Sequence, residues 1–178
     1  MKKFSKILAL VLALICAFTT FVACNNEQAD EKNKEDSIEV EYYVIYKGVK
    51  IELAAKADSV LSTLSSPKAV NSLGTCGPFG SEIEYVYDDI TIYTIKNDSG
   101  ETIDQIQFTN DISQTRKNIC IGETSDKVIK AYGEPTVKTD SLIIYTKDCD
   151  GYKLHLKFGI EDGEISKINF IREFEVDE

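Results

Sequence analysis

Residues 51–67 read IELAAKADSVLSTLSSP and residues 119–135 read ICIGETSDKVIKAYGEP, an ungapped match at an offset of 68. Ile51 lies over Ile119, Asp58 over Asp126, Val60 over Val128 and Pro67 over Pro135. With one gap at Thr102, GETIDQIQF (100–108) lies over GEISKINF (163–170), so the agreement returns at the far end of each stretch. A short apolar stripe followed by alternating segments, met twice, predicts two related units in tandem.

Working outward, Ile38, Val40, Tyr42, Val44 and Tyr46 alternate with polar residues, Lys47-Gly48 interrupts, and Val49, Ile51 and Leu53 resume. That pattern predicts a β-hairpin, with Gly48 supplying the positive φ of a tight turn. The first helix is expected near Asp58–Ser65, ended by Pro67. The second is expected after Thr124, a good N-cap, with Val128, Ile129 and Tyr132 on its buried stripe and Gly133 and Pro135 as its stop. Residues 68–81, KAVNSLGTCGPFGS, read as a glycine-rich loop. Strands are expected around Ile83–Tyr87, Ile90–Ile95 and Ile103–Phe108, then at Leu142–Thr146, Tyr152–Ile160 and Ile165–Arg172. The predicted class is α+β: two tandem repeats, each a short helix packed on a three-stranded antiparallel meander, preceded by an N-terminal β-hairpin. Unit one spans 38–110 and unit two 111–178.

The first 23 residues have the layout of a secretory signal peptide, with Lys2, Lys3 and Lys6 ahead of an unbroken apolar run from Ile7 to Phe18. Phe21-Val22-Ala23-Cys24 resembles a bacterial lipobox, which implies cleavage before Cys24 and attachment of a diacylglyceryl group to its sulfur. Two acyl chains hold a protein at a membrane far better than one. Residues 24–37 then form the lipidated cysteine and a linker with five acids, two lysines and no large apolar side chain, a composition expected to remain disordered. The location this implies is the outward face of the cell membrane, lipid-anchored.

Loss of the signal removes three lysines and no acids, so Lys plus Arg falls from 20 to 17 against 30 acids, a net charge of −13. Nucleic acid and anionic surfaces are repelled by such a chain, and a partner selected by charge is cationic. Beyond Cys24, three cysteines remain: Cys76, Cys120 and Cys149. Export permits one disulfide plus a free thiol; three buried thiols is the alternative. No cysteine or histidine spacing points to zinc, and no cofactor is expected.

IGETSDKVIKAYGEP, followed by strand pairs closing in GEISKINF, resembles the SmpA/OmlA-type and β-lactamase-inhibitor-protein-like repeats. The stretch from YKGVKIEL through TCGPFGSEIEYVY is similar to a group of uncharacterised bacterial lipoproteins with two such repeats. The resemblance implies architecture, from about Tyr46 to Ile171, and no functional residue. Unit one departs from it at Ser65-Ser66-Pro67, where unit two has Gly-x-Pro, and at Ala54, where unit two has Gly122.

No nucleophile elbow, zinc-protease helix, phosphate loop or dinucleotide fingerprint occurs, so no catalytic residue is assigned. His155, the only histidine, falls on the polar face of a strand between Lys153 and Lys157 and is expected to be a solvated surface residue. The acids at Asp148/Asp150 and Glu161/Asp162/Glu164 lack the ligand spacing of a calcium loop. The loop holding Cys76 and Phe79 is the candidate binding element, Phe79 as an aromatic anchor. The expected function is a membrane-anchored, extracytoplasmic, non-enzymatic protein-binding or inhibitor-like lipoprotein. A structural role in envelope assembly is the first alternative and an enzyme without recognisable motifs the second.

Overall fold

Period-two alternation governs most of the chain, and it is realised as strands almost throughout. The computed structural model describes residues 39–75 and 77–175. The signal segment, Cys24 with its linker, and Cys76 lie outside the described residues.

Strands β1 (Tyr43–Tyr46) and β2 (Val49–Glu52) form the N-terminal hairpin, closed by Lys47 and Gly48, both at positive φ. Helix α1 (Ala57–Leu61) is one short turn, and no side chain caps its start. Its persistence rests on burial of Ala57 and Val60, since five residues form no stable helix alone. Four strands follow: β3 (Ala69–Thr75), β4 (Ser81–Val86), β5 (Ile90–Asn97) and β6 (Gly100–Phe108). Helix α2 (Ser125–Tyr132) is better specified: Thr124 Oγ1 accepts from the Lys127 amide and Gly133, at φ 76°, stops it. Strands β7 (Val137–Lys138), β8 (Leu142–Cys149), β9 (Tyr152–Glu161) and β10 (Glu164–Phe174) complete the chain.

Eight of these strands make one antiparallel sheet in the order β3-β4-β5-β6-β10-β9-β8-β7. The predicted α+β class, with a helix on a separate three-stranded meander in each unit, is corrected by this sheet. Among the described residues strands hold 53% and the helices are two short elements. Each run of strands has four members, and β6 pairs with β10 through Asn169↔Gln107, Phe170↔Ile106 and Ile171↔Gln105, so neither run closes by itself. The strands missed in the sequence are the two-residue β7 and β3, the latter in the stretch read as a loop: Asn71, Ser72 and Gly74 have low strand propensity, and backbone pairing with β4 overrides it.

One face of the sheet carries the core. Ile92 and Ile106, Phe170 and Leu156, and Phe158 and Ile143 meet there, nearly all fully buried. The hairpin packs on this face through Tyr46 against Tyr87, and α2 through Tyr132, whose ring lies 5.3 Å from Tyr145 and 5.7 Å from Phe158. Tyr145 also donates from its hydroxyl to the Gly133 carbonyl at 2.8 Å, tying strand to helix end. Each fully buried Phe or Ile contributes roughly 1.5–3 kcal/mol relative to exposure. The described residues from 39 to 175 thus form one compact unit around a continuous core.

Candidate functional site

The turn at Gly77–Phe79 joins β3 to β4, and it brings Phe79 to a cavity of about 290 Å³ with Ile95, Asn97, Thr102, Arg172 and Phe174. Sequence shapes this turn directly. Gly80 has φ 130°, and a Cβ placed there would strike the Lys96 carbonyl, so only glycine fits. Asn97 Nδ2 donates to the Phe79 carbonyl at 3.1 Å and holds the turn down.

Phe79, the expected aromatic anchor, is not a free one. Its ring stacks on Phe174 with centroids 4.5 Å apart and planes 12° apart, and Arg172 lies 4.5 Å from the Phe174 centroid. Cys76, its expected companion, lies outside the described residues.

Arg172 occupies the place where β6 and β10 part. Regular pairing ends at Ile171↔Gln105, β6 carries a bulge at Asp104, beyond it the β6 edge pairs with residues 54–56, and the guanidinium reaches back to β6 side chains. Nε donates to Asp104 Oδ1 at 3.1 Å and Nη2 to Thr102 Oγ1 at 2.8 Å. Both charged side chains are largely buried, at 8% and 15% exposure. Burial pushes the Asp104 carboxyl upward, against the pull of Arg172. The cavity is thus an aromatic and apolar wall with a neutralised ion pair at its base, suited to a flat or apolar group rather than to a free anion.

The sheet face opposite the core is the second candidate surface. By register it presents Glu84, Tyr93, Gln105, Gln107, Asn169, Ile171 and Ile144, all partly exposed. Tyr93 is pushed up to about 12, by burial first and then by its bond to Glu84. Asn169 Oδ1 is buried there without a hydrogen-bond partner among the described residues. Of the strand tyrosines, Tyr87 and Tyr145 belong to the core, Tyr85 is half-buried with its hydroxyl donating to Glu101 at 2.8 Å, and Tyr93 alone faces outward on the open face.

His155 lies on this face too, but the expectation that it is solvated is corrected: it is only 8% exposed. Neighbouring strands supply the cover. Nδ1 is 3.0 Å from Thr146 Oγ1, and Nε2 is 3.1 Å from Glu173 Oε2, a contact that becomes an ion pair on protonation without a well-directed hydrogen bond. Burial, then Lys157, holds its pKa below the usual 6.5. Hydroxyl, imidazole and carboxylate stand in the order of a nucleophile relay. The Thr146 amide, however, already donates to Thr136 Oγ1 at 3.0 Å and so is not free to hold an oxyanion.

Cys120 and Cys149 are both free thiols. Burial and Glu123, whose Oε1 is 3.7 Å from Sγ, push the Cys120 thiol up, away from nucleophilic character. Among the described residues no three His, Cys, Asp or Glu side chains converge to hold a metal, and no helix is long and apolar enough to cross a membrane.

No family model, curated protein or solved structure matches this chain. Kinship with the SmpA/OmlA-like repeats therefore stands as a proposal on the residues quoted above. Sequence reasoning also passed over Arg172, Asp104 and Phe174. A signal was present: Ile168, Phe170, Arg172 and Phe174 share one strand parity, so an arginine stands at an inward-facing position where a partner is required.

Proposed function

We propose that this protein is a membrane-anchored, extracytoplasmic lipoprotein that acts as a non-enzymatic protein-binding or inhibitor-like module. The observation that carries the reading is the open sheet face. Its hairpin and helices pack on the opposite side, so a rigid eight-stranded surface presents an aromatic ring, amides and branched apolar side chains together. Such a mixture, preorganised by strands, is what protein interfaces use: amphipathic rings supply area, amides supply register, and little ordering is needed on association. The turn at 77–79 rims one end of that face, where Ile95 shares its cavity.

The lipid anchor belongs to the same proposal and rests on Ala23-Cys24 and the leader before it. Mass spectrometry of the mature protein tests it: a diacylglyceryl adduct on Cys24, abolished by Cys24→Ser, is the expected result. For the module, co-purification from membranes is compared between wild type, Tyr93→Ala with Gln105→Ala, and Phe79→Ala. Loss of a specific partner in the double variant, with an unchanged melting temperature, is expected. Equal recovery in all three would remove both the face and the turn as its binding surface.

A further inference from the structure

The two edges of the sheet are built differently. Strand β7 is two residues long, follows Pro135 at a short distance and ends on Lys138, devices that discourage pairing with another chain. Strand β3 runs seven residues, AVNSLGT, with no charge and no proline, and six of the seven are exposed. Val70 is 55% and Leu73 51% exposed. Among the described residues it pairs only with β4, so along its other side a row of backbone donors and acceptors faces outward. One guard is present, a bulge at Leu73 between Ser72 and Gly74, which leaves Ala69–Ser72 as the regular stretch.

Register gives this edge a sided chemistry. Asn71 lies beside Glu84 and Gly74 beside Glu82, on the open face, and Asn71 Nδ2 donates to Glu84 at 2.8 Å. No Lys or Arg falls on that face of β3, β4, β5 or β6 by the pairing register. On the reverse side Val70 lies beside Tyr85 and Ser72 beside Ile83.

We propose that β3 accepts a ninth strand from a protein partner, an extended segment in which lysine or arginine alternates with branched apolar residues. Its basic side chains reach Glu84 across β3, its apolar ones lie along Val70, and its backbone completes the ladder. A second copy of this chain would bring a further Glu84 to the face and, by the pairing register, no cation, which favours a basic partner. The proposal deepens the binding-module reading and rests on it for the existence of a protein partner.

The test uses the full chain in detergent micelles and a dye-labelled hexapeptide KVKVKV, with EVEVEV and the proline-broken KVPVKV as controls, read by fluorescence anisotropy. Binding of KVKVKV alone is expected, weakening with salt and by about tenfold or more in Ser72→Pro and in Glu84→Lys. Amide exchange over residues 69–72 slows when the peptide is bound. Equal binding of EVEVEV overturns the proposal, as does full affinity in a folded Ser72→Pro. If Ser72→Pro does not fold, Glu84→Lys and the exchange pattern decide. Concentration-dependent protection of 69–72 without peptide, with dimer formation, assigns the edge to a second copy instead. Peptide binding unaffected by Ser72→Pro but abolished by Tyr93→Lys moves the partner to the open face, which overturns the edge and leaves the module reading intact.

Discussion

Ala54 and Gly122 make the same bonds 68 residues apart. The Ala54 amide donates to the Ile103 carbonyl at 2.8 Å, and the Gly122 amide donates to the Ile165 carbonyl at 2.8 Å. Ile103 and Ile165 return the bond, to the carbonyls of Ala55 and Glu123, at 2.9 and 2.8 Å. Both donors stand at positive φ, 65° and 88°, so an alanine holds in one half a conformation that glycine takes without strain in the other.

Opposite signs are therefore expected on exchange. Gly122→Ala loses about 1 kcal/mol, because open space around the site gives the methyl group no clash but φ remains unfavourable. Ala54→Gly is neutral or gains a few tenths, relief of strain being offset by unfolded-chain entropy. Urea midpoints at constant slope measure both, and a stabilising Gly122→Ala would contradict the account.

Arg172 and Asp104 form a buried pair, so truncating either leaves an uncompensated charge. Arg172→Leu is expected to cost about 3–5 kcal/mol, and the Arg172→Leu/Asp104→Leu double variant less than the sum of the two singles. Chemical unfolding of the four proteins in a cycle gives the coupling. Strict additivity would show that the two side chains act independently.

The histidine sets a pH dependence whose sign follows from its lowered pKa. The folded state resists protonation more than the unfolded chain does, so the unfolded state binds more protons as pH falls. This contribution is present in full above pH 6.5 and is lost as pH drops through the lower folded value. Wild type should therefore lose stability faster than His155→Gln as pH falls below 6.5, by at most about 1.4 kcal/mol per pH unit. Parallel curves of unfolding free energy against pH would rule it out.

Val128 is fully buried on α2 and belongs to the core shared by the whole sheet. Val128→Asp is expected to cost several kcal/mol, a large share of the roughly 5–15 kcal/mol available to a domain. The loss should appear as one cooperative transition of the entire sheet. Calorimetry that resolves two transitions, with residues 43–108 melting as in wild type, would show two cores instead of one.

What could be read from residues alone was local. Thr124, Gly133 and Pro135 fix α2 because capping and termination act within a few residues. The clean alternation of Tyr152 to Ile160 fixes β9, and Lys47-Gly48 fixes the hairpin, for the same reason. Strand β3 escaped notice because an edge strand is held by its neighbour's backbone, and Asn71, Ser72 and Gly74 carry little preference of their own. Phe79 was legible as an aromatic at a turn, whereas its stacking on Phe174, 95 positions away, was not.

By itself the sequence determined the acidic charge, the match between residues 51–67 and 119–135 and the faces of most strands, all properties of composition and short-range period. Only the tertiary structure decided that the two runs of strands join through β6 and β10 into a single sheet, that Arg172 bridges them where they part, and that one face and one edge are left open among the described residues. Strand pairing between distant segments depends on backbone groups that every residue carries alike, so no side-chain pattern announces which edges will meet.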